Sequence, residues 1–224
     1  MSELVRQLNG DVPVFAVNPG GLSVPVADAL GGMNGTALFI DCERTALGVH
    51  EASCMARAAR ASGLFSLLRT ESAEPAIVTR YLDCRIDALV VPQIESAAQC
   101  ADLAAVLQVH AATFPRTAFI AQIESVPGHA ALDDILSAPG IDAILIGPND
   151  LSASMGLAGQ PGHADVRAAV EDIAGRVRKV GLPFGLPVVP ATARAWADRG
   201  ARLFYLSLET LLTGGLGILK EKLS

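Results

Sequence analysis

Short apolar runs of strand length recur along the chain, and Ala-rich segments with helical spacing separate them. The runs are nearly continuous in apolar residues, which is typical of parallel strands buried on both faces. Eight strands are predicted, at Pro13–Val17, Ala37–Asp41, Phe65–Arg69, Ala88–Pro92, Ala118–Glu124, Ala143–Gly147, Pro183–Val189 and Arg202–Leu208. Helices are predicted between them, for example at Ala52–Ala61, Ala97–His110, Ala164–Val180 and Thr192–Arg199.

This alternation of strand and helix predicts an α/β fold, the (β/α)8 or TIM barrel. An open doubly wound sheet is the alternative, but it usually has fewer strands, and no GxGxxG motif follows the first strand. We expect residues 1–224 to form a single domain, because no linker or low-complexity segment interrupts the pattern. Gly214, Gly215 and Gly217, after the eighth strand, are interpreted as a helix break.

Composition and charge exclude several classes of partner. The 224 residues carry 23 Asp and Glu against 17 Lys and Arg, so neither nucleic acid nor an anionic membrane surface is an expected partner. The N-terminal residues lack a basic-then-apolar signal pattern, and we therefore expect a cytoplasmic protein. The four cysteines form no CxxC pair, which favours buried, reduced thiols over a zinc site or disulfides.

Polar and charged residues follow the predicted strands at their carboxyl ends. In a barrel these ends share one mouth, where the connecting loops collect the chemistry. The residues are Asp41, Glu43, Arg44, Arg69, Gln93, Glu95, Gln122, Glu124, Asn149 and Asp150. Such a set is typical of a metal–carboxylate site with an anion-binding arginine.

Glu124 and Asp150 are the candidate metal ligands. They end adjacent strands and could share one hard divalent cation, with Mg²⁺ or Mn²⁺ as the suitable ions. Spacing alone leaves an equal alternative, in which both carboxylates cap the helices that follow.

The segment Gly147-Pro148-Asn149-Asp150 is a turn whose backbone N–H groups could receive a carboxylate, or it is an ordinary strand-to-helix loop. Arg69 ends an apolar strand and needs an anionic partner, either a substrate oxyanion or a structural carboxylate such as Glu43 or Glu124. His129 lies on the rim side and is the histidine that could approach a substrate.

Three strand-end segments resemble the HpcH/HpaI aldolase and citrate lyase β-subunit superfamily, the metal-dependent class II pyruvate aldolases. They are Leu89-Val90-Val91-Pro92, Ile120-Ala121-Gln122-Ile123-Glu124 and Ile146-Gly147-Pro148-Asn149-Asp150-Leu151-Ser152-Ala153-Ser154-Met155-Gly156. The last segment is the most specific. The resemblance implies a phosphoenolpyruvate/pyruvate-type barrel.

For the site, the resemblance implies a divalent metal, Mg or Mn, held by Glu124 and Asp150. Gln122 would order a metal-bound water, the amides of Asn149 and Asp150 would receive the carboxylate of a small 2-oxo acid, and Arg69 would stabilise the enolate oxygen. The implied activity is a carbon–carbon lyase that forms or cleaves 4-hydroxy-2-oxo acids through a pyruvate-type enolate.

The chain departs from the aldolase pattern at Arg44, where that branch has a histidine that assists proton transfer. A guanidinium cannot shuttle protons near neutral pH, so water, Glu43 or His129 would have to do so. Arg44 could instead bind a second carboxylate, which keeps open a citrate-synthase-like or citrate-lyase-β-like enzyme acting on oxaloacetate or a thioester. A non-catalytic homologue that binds an oxo acid is a further alternative.

The connection Val109–Thr117 is shorter than in the family's aldolases, so the site should be more open or covered by a neighbouring subunit. Family members assemble through their last helices, often as trimers of dimers. The apolar tail Leu211–Leu219 would suit such packing. We therefore expect a homo-oligomer, with a hexamer as the implied form.

Overall fold

Eight parallel strands close into a barrel. The computed structural model describes residues 1–223. Each strand pairs with the next in chain order, and β8 pairs with β1 to close the sheet. The strands are β1 (Val14–Asn18), β2 (Thr36–Asp41), β3 (Phe65–Arg69), β4 (Ala88–Val91), β5 (Ala118–Ile123), β6 (Ala143–Ile146), β7 (Phe184–Pro187) and β8 (Leu203–Ser207).

Helices surround the barrel and close its lower end. They are α1 (Glu3–Leu8), α2 (Val24–Leu30), α3 (Val49–Ala61), α4 (Pro75–Leu82), α5 (Ala97–Ala111), α6 (Val126–Ala130), α7 (Leu132–Leu136), α8 (Pro148–Ser154), α9 (Ala164–Lys179), α10 (Pro190–Asp198) and α11 (Leu208–Leu223). All eight predicted strands are present, with ends that differ by at most two residues. The predicted TIM barrel is confirmed.

The core has two layers because side chains alternate across each strand. One set fills the barrel interior, and Leu4, Val5 and Leu8 of α1 pack beneath it. The other set faces the surrounding helices and forms the larger apolar cluster. Gly185 is required in this packing, because a Cβ there would lie 2.2 Å from the carbonyl oxygen of Leu203.

The interior-facing positions lead directly to the mouth of the barrel. Along β2, the interior side chains Ala37 and Phe39 are followed two residues later by Asp41. Along β5, Ala118 and Ile120 occupy the interior, so Gln122 takes the next inward position. The same period of two that packs the core therefore places polar side chains at its upper edge.

The last helix corrects one prediction. α11 runs without interruption through Gly214, Gly215 and Gly217, so the predicted break is wrong. A helical glycine costs only about 1 kcal/mol relative to alanine, and the flanking Leu, Glu and Lys are good helix formers. None of the described α11 residues is buried. Among residues 1–223, no helix is long and apolar enough to cross a membrane.

Candidate active site

A cavity of about 380 Å³ opens at the carboxyl ends of the strands. The structure brings most of the predicted site residues to it: Arg44, Arg69, Gln122, Glu124, Gly147, Pro148, Asn149 and Asp150. Asn18, Asp41, Thr45, Tyr205 and Ser207 also line it. Glu43, Gln93 and Glu95 do not line the cavity.

Glu124 is buried at the cavity wall, directly after β5. Its side chain accepts hydrogen bonds from the backbone N–H of Gln93, at 3.1 Å, and from the side-chain amide of Gln122. Burial raises the pKa of Glu124 to about 7, against the effect of these two hydrogen bonds. The negative charges of Glu43 and Asp150 raise it further. The carboxylate is thus held in place, and among residues 1–223 no Lys, Arg or His lies within ion-pair distance of it, an environment that suits a cation ligand.

Arg69 and Asp41 form a buried bidentate ion pair at the adjacent ends of β3 and β2. Arg69 Nε and Nη2 lie 3.0 and 2.7 Å from the two carboxylate oxygens of Asp41. Glu43 adds a second carboxylate, with Oε2 3.0 Å from Nε of Arg69. Burial alone would lower the pKa of Arg69, but the hydrogen bonds and charge of Asp41 raise it. Arg69 therefore presents a fixed positive charge at the cavity.

Arg44 and Asp150 join two loops across the mouth. The Arg44 guanidinium donates a hydrogen bond to Oδ1 of Asp150, and this hydrogen bond raises the pKa of Arg44. The Arg44 side chain is 54% exposed and that of Asp150 is 27% exposed, so the pair lies at the solvent side of the cavity. In addition, the Arg44 backbone N–H donates to Asp41, 3.2 Å away. The side chain of Arg44 therefore contacts the predicted metal ligand Asp150, and no proton-transfer side chain stands at that position.

The turn after β6 presents unpaired amides. Pro148 begins α8, and Gly147 accepts the first helical hydrogen bond, from Leu151. The N–H groups of Asn149 and Asp150, in the first helical turn, donate to no described residue. Since both residues line the cavity, these donors are available to an anion.

The histidines do not reach the cavity. His129 bonds to Asp172 at 2.8 Å, on α9, and none of the four histidines is a lining residue. The hypothesis that His129 replaces the missing family histidine is therefore wrong. His163 caps α9 through the backbone N–H of Asp165.

Asn18 and Tyr205 are among the lining residues that lay outside the predicted strand-end set. Asn18 ends β1, one residue beyond the predicted strand, and Tyr205 lies inside an apolar run that indicates core packing. Each could have been identified by its position in the strand, because it lies two residues after a side chain that faces the barrel interior. The Asn18 amide joins Tyr205 to the predicted residue Asp41, because its Nδ2 lies 3.2 Å from Asp41 Oδ2 and 2.8 Å from the Tyr205 hydroxyl oxygen.

The residues present fit a hard divalent cation. Among residues 1–223, no three His, Cys, Asp or Glu side chains form a group that could hold a metal. Two carboxylates, Glu124 and Asp150, nevertheless line one cavity, and Oε1 of Gln122 is buried with no hydrogen-bond partner. Such oxygen donors suit Mg²⁺ or Mn²⁺, which leave positions to water and substrate, better than they suit zinc.

Comparisons with known proteins identify aldolases among the chains similar to this one. A hydroxypyruvate/pyruvate aldolase of Paraburkholderia phytofirmans is 30% identical over 215 residues, covering 83% of each chain. Another, from Roseovarius nubinhibens, is 28% identical over 200 residues, covering 78% of each. The crystal structure of an HpcH/HpaI aldolase/citrate lyase family protein from Burkholderia cenocepacia superposes with a TM-score of 0.89, at 26% identity and over the whole of both chains.

The family model for HpcH/HpaI aldolase/citrate lyase matches residues 26–205, which include β2 to β7 and the first part of β8. That range contains all three segments on which the resemblance rested. The chain belongs to the HpcH/HpaI aldolase/citrate lyase family, a family of divalent-metal-dependent carbon–carbon lyases, as its strand-end motifs predicted.

Proposed function

We propose that this protein is an aldolase that forms or cleaves 4-hydroxy-2-oxo acids through the enolate of a pyruvate-type donor. The observation that carries the proposal is the convergence of Glu124, Asp150 and Arg69 on one cavity. The names of the Paraburkholderia and Roseovarius relatives support pyruvate or hydroxypyruvate as the donor.

Glu124 and Asp150 would hold Mg²⁺ or Mn²⁺. When bound there, such a cation would supply Lewis-acid stabilisation of negative charge on the 2-oxo oxygen of the donor. Gln122 donates to Glu124 and so fixes the orientation of that carboxylate. Its buried Oε1 is the acceptor available to order a water at the site.

Substrate binding would use the turn after β6. The free N–H groups of Asn149 and Asp150 bind the donor carboxylate, and Gly147 and Pro148 form the wall beside them. This places the 2-oxo end of the substrate next to Glu124, which contacts the same turn.

Arg69 would stabilise the negative charge that develops on the enolate oxygen. Two hydrogen bonds to Asp41 hold its guanidinium and Glu43 adds a nearby negative charge, so little reorganisation is needed when the enolate charge appears. Glu43 does not line the cavity and contacts Arg69, so we assign it to positioning that guanidinium. Arg44, at the exposed side of the mouth, orients Asp150 and is available to a second carboxylate on a larger substrate.

Methyl-deuterium exchange of pyruvate in D₂O, followed by proton NMR with Mn²⁺ or Mg²⁺ present, tests this function without requiring the acceptor to be known. We expect metal-dependent exchange in the wild type and its loss in Glu124→Gln. The matched control is Glu95→Gln, because Glu95 bonds to Ser125 and does not line the cavity. Absence of exchange in the wild type, or equal exchange in Glu124→Gln, would overturn the proposal.

We also propose that the protein is a homo-oligomer assembled through α11. Leu212, Leu216, Ile218 and Leu219 are each more than half exposed on this helix, which favours burial against another copy. Light scattering after size-exclusion chromatography should give a mass that is a multiple of 23.2 kDa, with the hexamer implied by the family as one outcome. A monomer at micromolar concentration would overturn the proposal.

The cytoplasm is the location we propose. All four cysteines are free, and thiols stay reduced in that compartment. Cell fractionation with an antibody to the protein tests the location, and recovery in an exported fraction would contradict it.

A further inference from the structure

The orientation of the Asn18 side chain is fixed by its neighbours. Its Oδ1 accepts the backbone N–H of Gly20 at 2.7 Å, so Nδ2 must face the other way. There it donates to Oδ2 of Asp41, 3.2 Å away, and to the hydroxyl of Tyr205, 2.8 Å away. Both N–H bonds of the amide are therefore committed.

This orientation decides the role of the Tyr205 hydroxyl. Because the oxygen accepts from Asn18, the hydroxyl proton must point elsewhere, and no described residue accepts it. Burial raises the pKa of Tyr205, so the proton stays on the oxygen at neutral pH. Tyr205 thus has one unused donor.

The other two hydroxyl groups that line the cavity in residues 1–223 are engaged. Thr45 donates to the backbone carbonyl of Asp41. Ser207 accepts the backbone N–H of Thr210 at 3.0 Å and shares a hydrogen bond of 2.8 Å with the Thr210 hydroxyl, in which either group can donate. The two arginines are also held, Arg69 by Asp41 and Arg44 by Asp150. Tyr205 is thus a lining hydroxyl whose proton has no described acceptor, and it adds a neutral donor to those of Arg69 and of the turn after β6.

Tyr205 lies where a second reactant would enter. Its ring packs edge-on against Phe39, with centroids 4.9 Å apart, so its direction is fixed. Tyr205 lines both the cavity of about 380 Å³ that contains Glu124 and Asp150 and an adjoining cavity of about 490 Å³. The two cavities also share Pro148, Pro187 and Ser207. A molecule that occupies both cavities would therefore lie beside Tyr205.

We propose that Tyr205 is a catalytic residue that donates a hydrogen bond to the carbonyl oxygen of the aldehyde acceptor, an inference that rests on the proposed aldolase function. As the enolate carbon forms the new carbon–carbon bond, the π electron pair of the aldehyde moves onto that oxygen. Tyr205 stabilises the resulting negative charge, and water at the open mouth supplies the proton that completes the hydroxyl. In cleavage, the 4-hydroxyl oxygen of the substrate accepts a hydrogen bond from Tyr205 and releases its own proton to water as the carbon–carbon bond breaks.

Two reactions separate this role from a structural one. Methyl exchange of pyruvate needs no aldehyde, whereas condensation of pyruvate with a panel of short aldehydes does. We expect Tyr205→Phe to leave the exchange rate within about two-fold of wild type while condensation falls about 100-fold, the loss usual for one oxyanion donor. Exchange in the same sample also shows that the variant is folded. The chain's other tyrosine gives the matched control, Tyr81→Phe, because Tyr81 bonds to Glu71 and lines neither cavity.

Each other outcome overturns the proposal. Equal losses in both reactions would mean that Tyr205 acts through Asn18 on Asp41 and Arg69, as a structural support. If Tyr205→Phe condensed pyruvate with aldehydes as fast as the wild type, Tyr205 would have no role at the acceptor. The same would follow if the wild type exchanged the pyruvate methyl protons but condensed pyruvate with none of the aldehydes. Failure of exchange in the wild type would instead refute the proposed aldolase function.

Discussion

The backbone at Gly147 passes so close to Glu124 that a side chain at position 147 has no room. A Cβ built there would lie 2.6 Å from Oε2 and 2.7 Å from Cβ of Glu124. Gly147 continues the inward-facing alternation of β6, so its Cβ would point into the same space. Since the φ of Gly147 is −104°, an ordinary value, the requirement for glycine comes from this contact and not from backbone strain.

Gly147→Ala should therefore displace the Glu124 carboxylate. We expect Mn²⁺ affinity to fall about ten-fold or more, because a shifted ligand can no longer share the cation with Asp150, and we expect pyruvate exchange to fall with it. Titration of Mn²⁺ by electron paramagnetic resonance measures the affinity. Gly175→Ala is the control, since a Cβ at that helical position meets nothing within 4 Å. Unchanged Mn²⁺ affinity in Gly147→Ala would contradict the assignment of Glu124 as a ligand.

Asp41 and Arg69 should be strongly coupled in stability. Breaking a buried ion pair removes the hydrogen-bonded partner of a buried charge. Because Glu43 still lies 3.0 Å from Arg69, we expect Asp41→Asn to lower the free energy of unfolding by about 3 kcal/mol, the lower end of the usual loss. Arg69→Met should be destabilising for the same reason. In the double variant neither charge remains, so its loss should be smaller than the sum of the two by about 1–3 kcal/mol. Urea unfolding of the three variants measures this, and strictly additive losses would contradict the coupling.

The cysteines should divide by burial into one reactive and three unreactive thiols. Burial raises the pKa of Cys42 to about 12 and that of Cys100 to about 11, and it also raises the pKa of Cys84. The thiolate is the reactive form, so a raised pKa means slow labelling until the pH approaches that value. With an aromatic disulfide reagent near pH 8, we expect one fast thiol in the native protein, which is Cys54.

Cys54→Ser should abolish that fast phase, and denaturant should release all the remaining thiols. Two or more fast thiols in the folded wild type would show that the buried cysteines are accessible.

Much of this fold follows from local pattern. The apolar runs locate all eight strands because both faces of each strand are buried, and the polar residues after them locate the mouth. Gln122 and Glu124 were placed in the site for this reason. The carboxyl ends of parallel strands meet at one edge, whatever the register between the strands.

Contacts between loops that are distant along the chain could not be predicted from the sequence. Arg44 and Asp150 are 106 residues apart, and no local rule brings a loop after β2 onto the start of α8. Asn18 and Tyr205 were missed because an apolar run does not reveal which of its alternate positions faces the barrel interior. Once Ala16 is known to point inward, Asn18 follows two residues later.

Replacing Arg44 should strengthen metal binding. In the structure its guanidinium neutralises Asp150, so a divalent cation has to compete for that carboxylate. A half-exposed pair of this kind is worth at most about 1 kcal/mol, and Arg44→Gln should therefore tighten Mn²⁺ binding by no more than about five-fold. The gain should shrink at high salt, which screens the competing charge.

Arg116→Gln is the matched control for Arg44→Gln, because Arg116 pairs with Asp142 and does not line the cavity. It removes the same charge from the protein as a whole, so equal tightening in both variants would reflect net charge alone. Weaker Mn²⁺ binding in Arg44→Gln would mean that Arg44 orders Asp150 for the metal and does not compete with it. In that case the ion pair belongs to the assembled site, and substrate binding in Arg44→Gln should weaken together with metal binding.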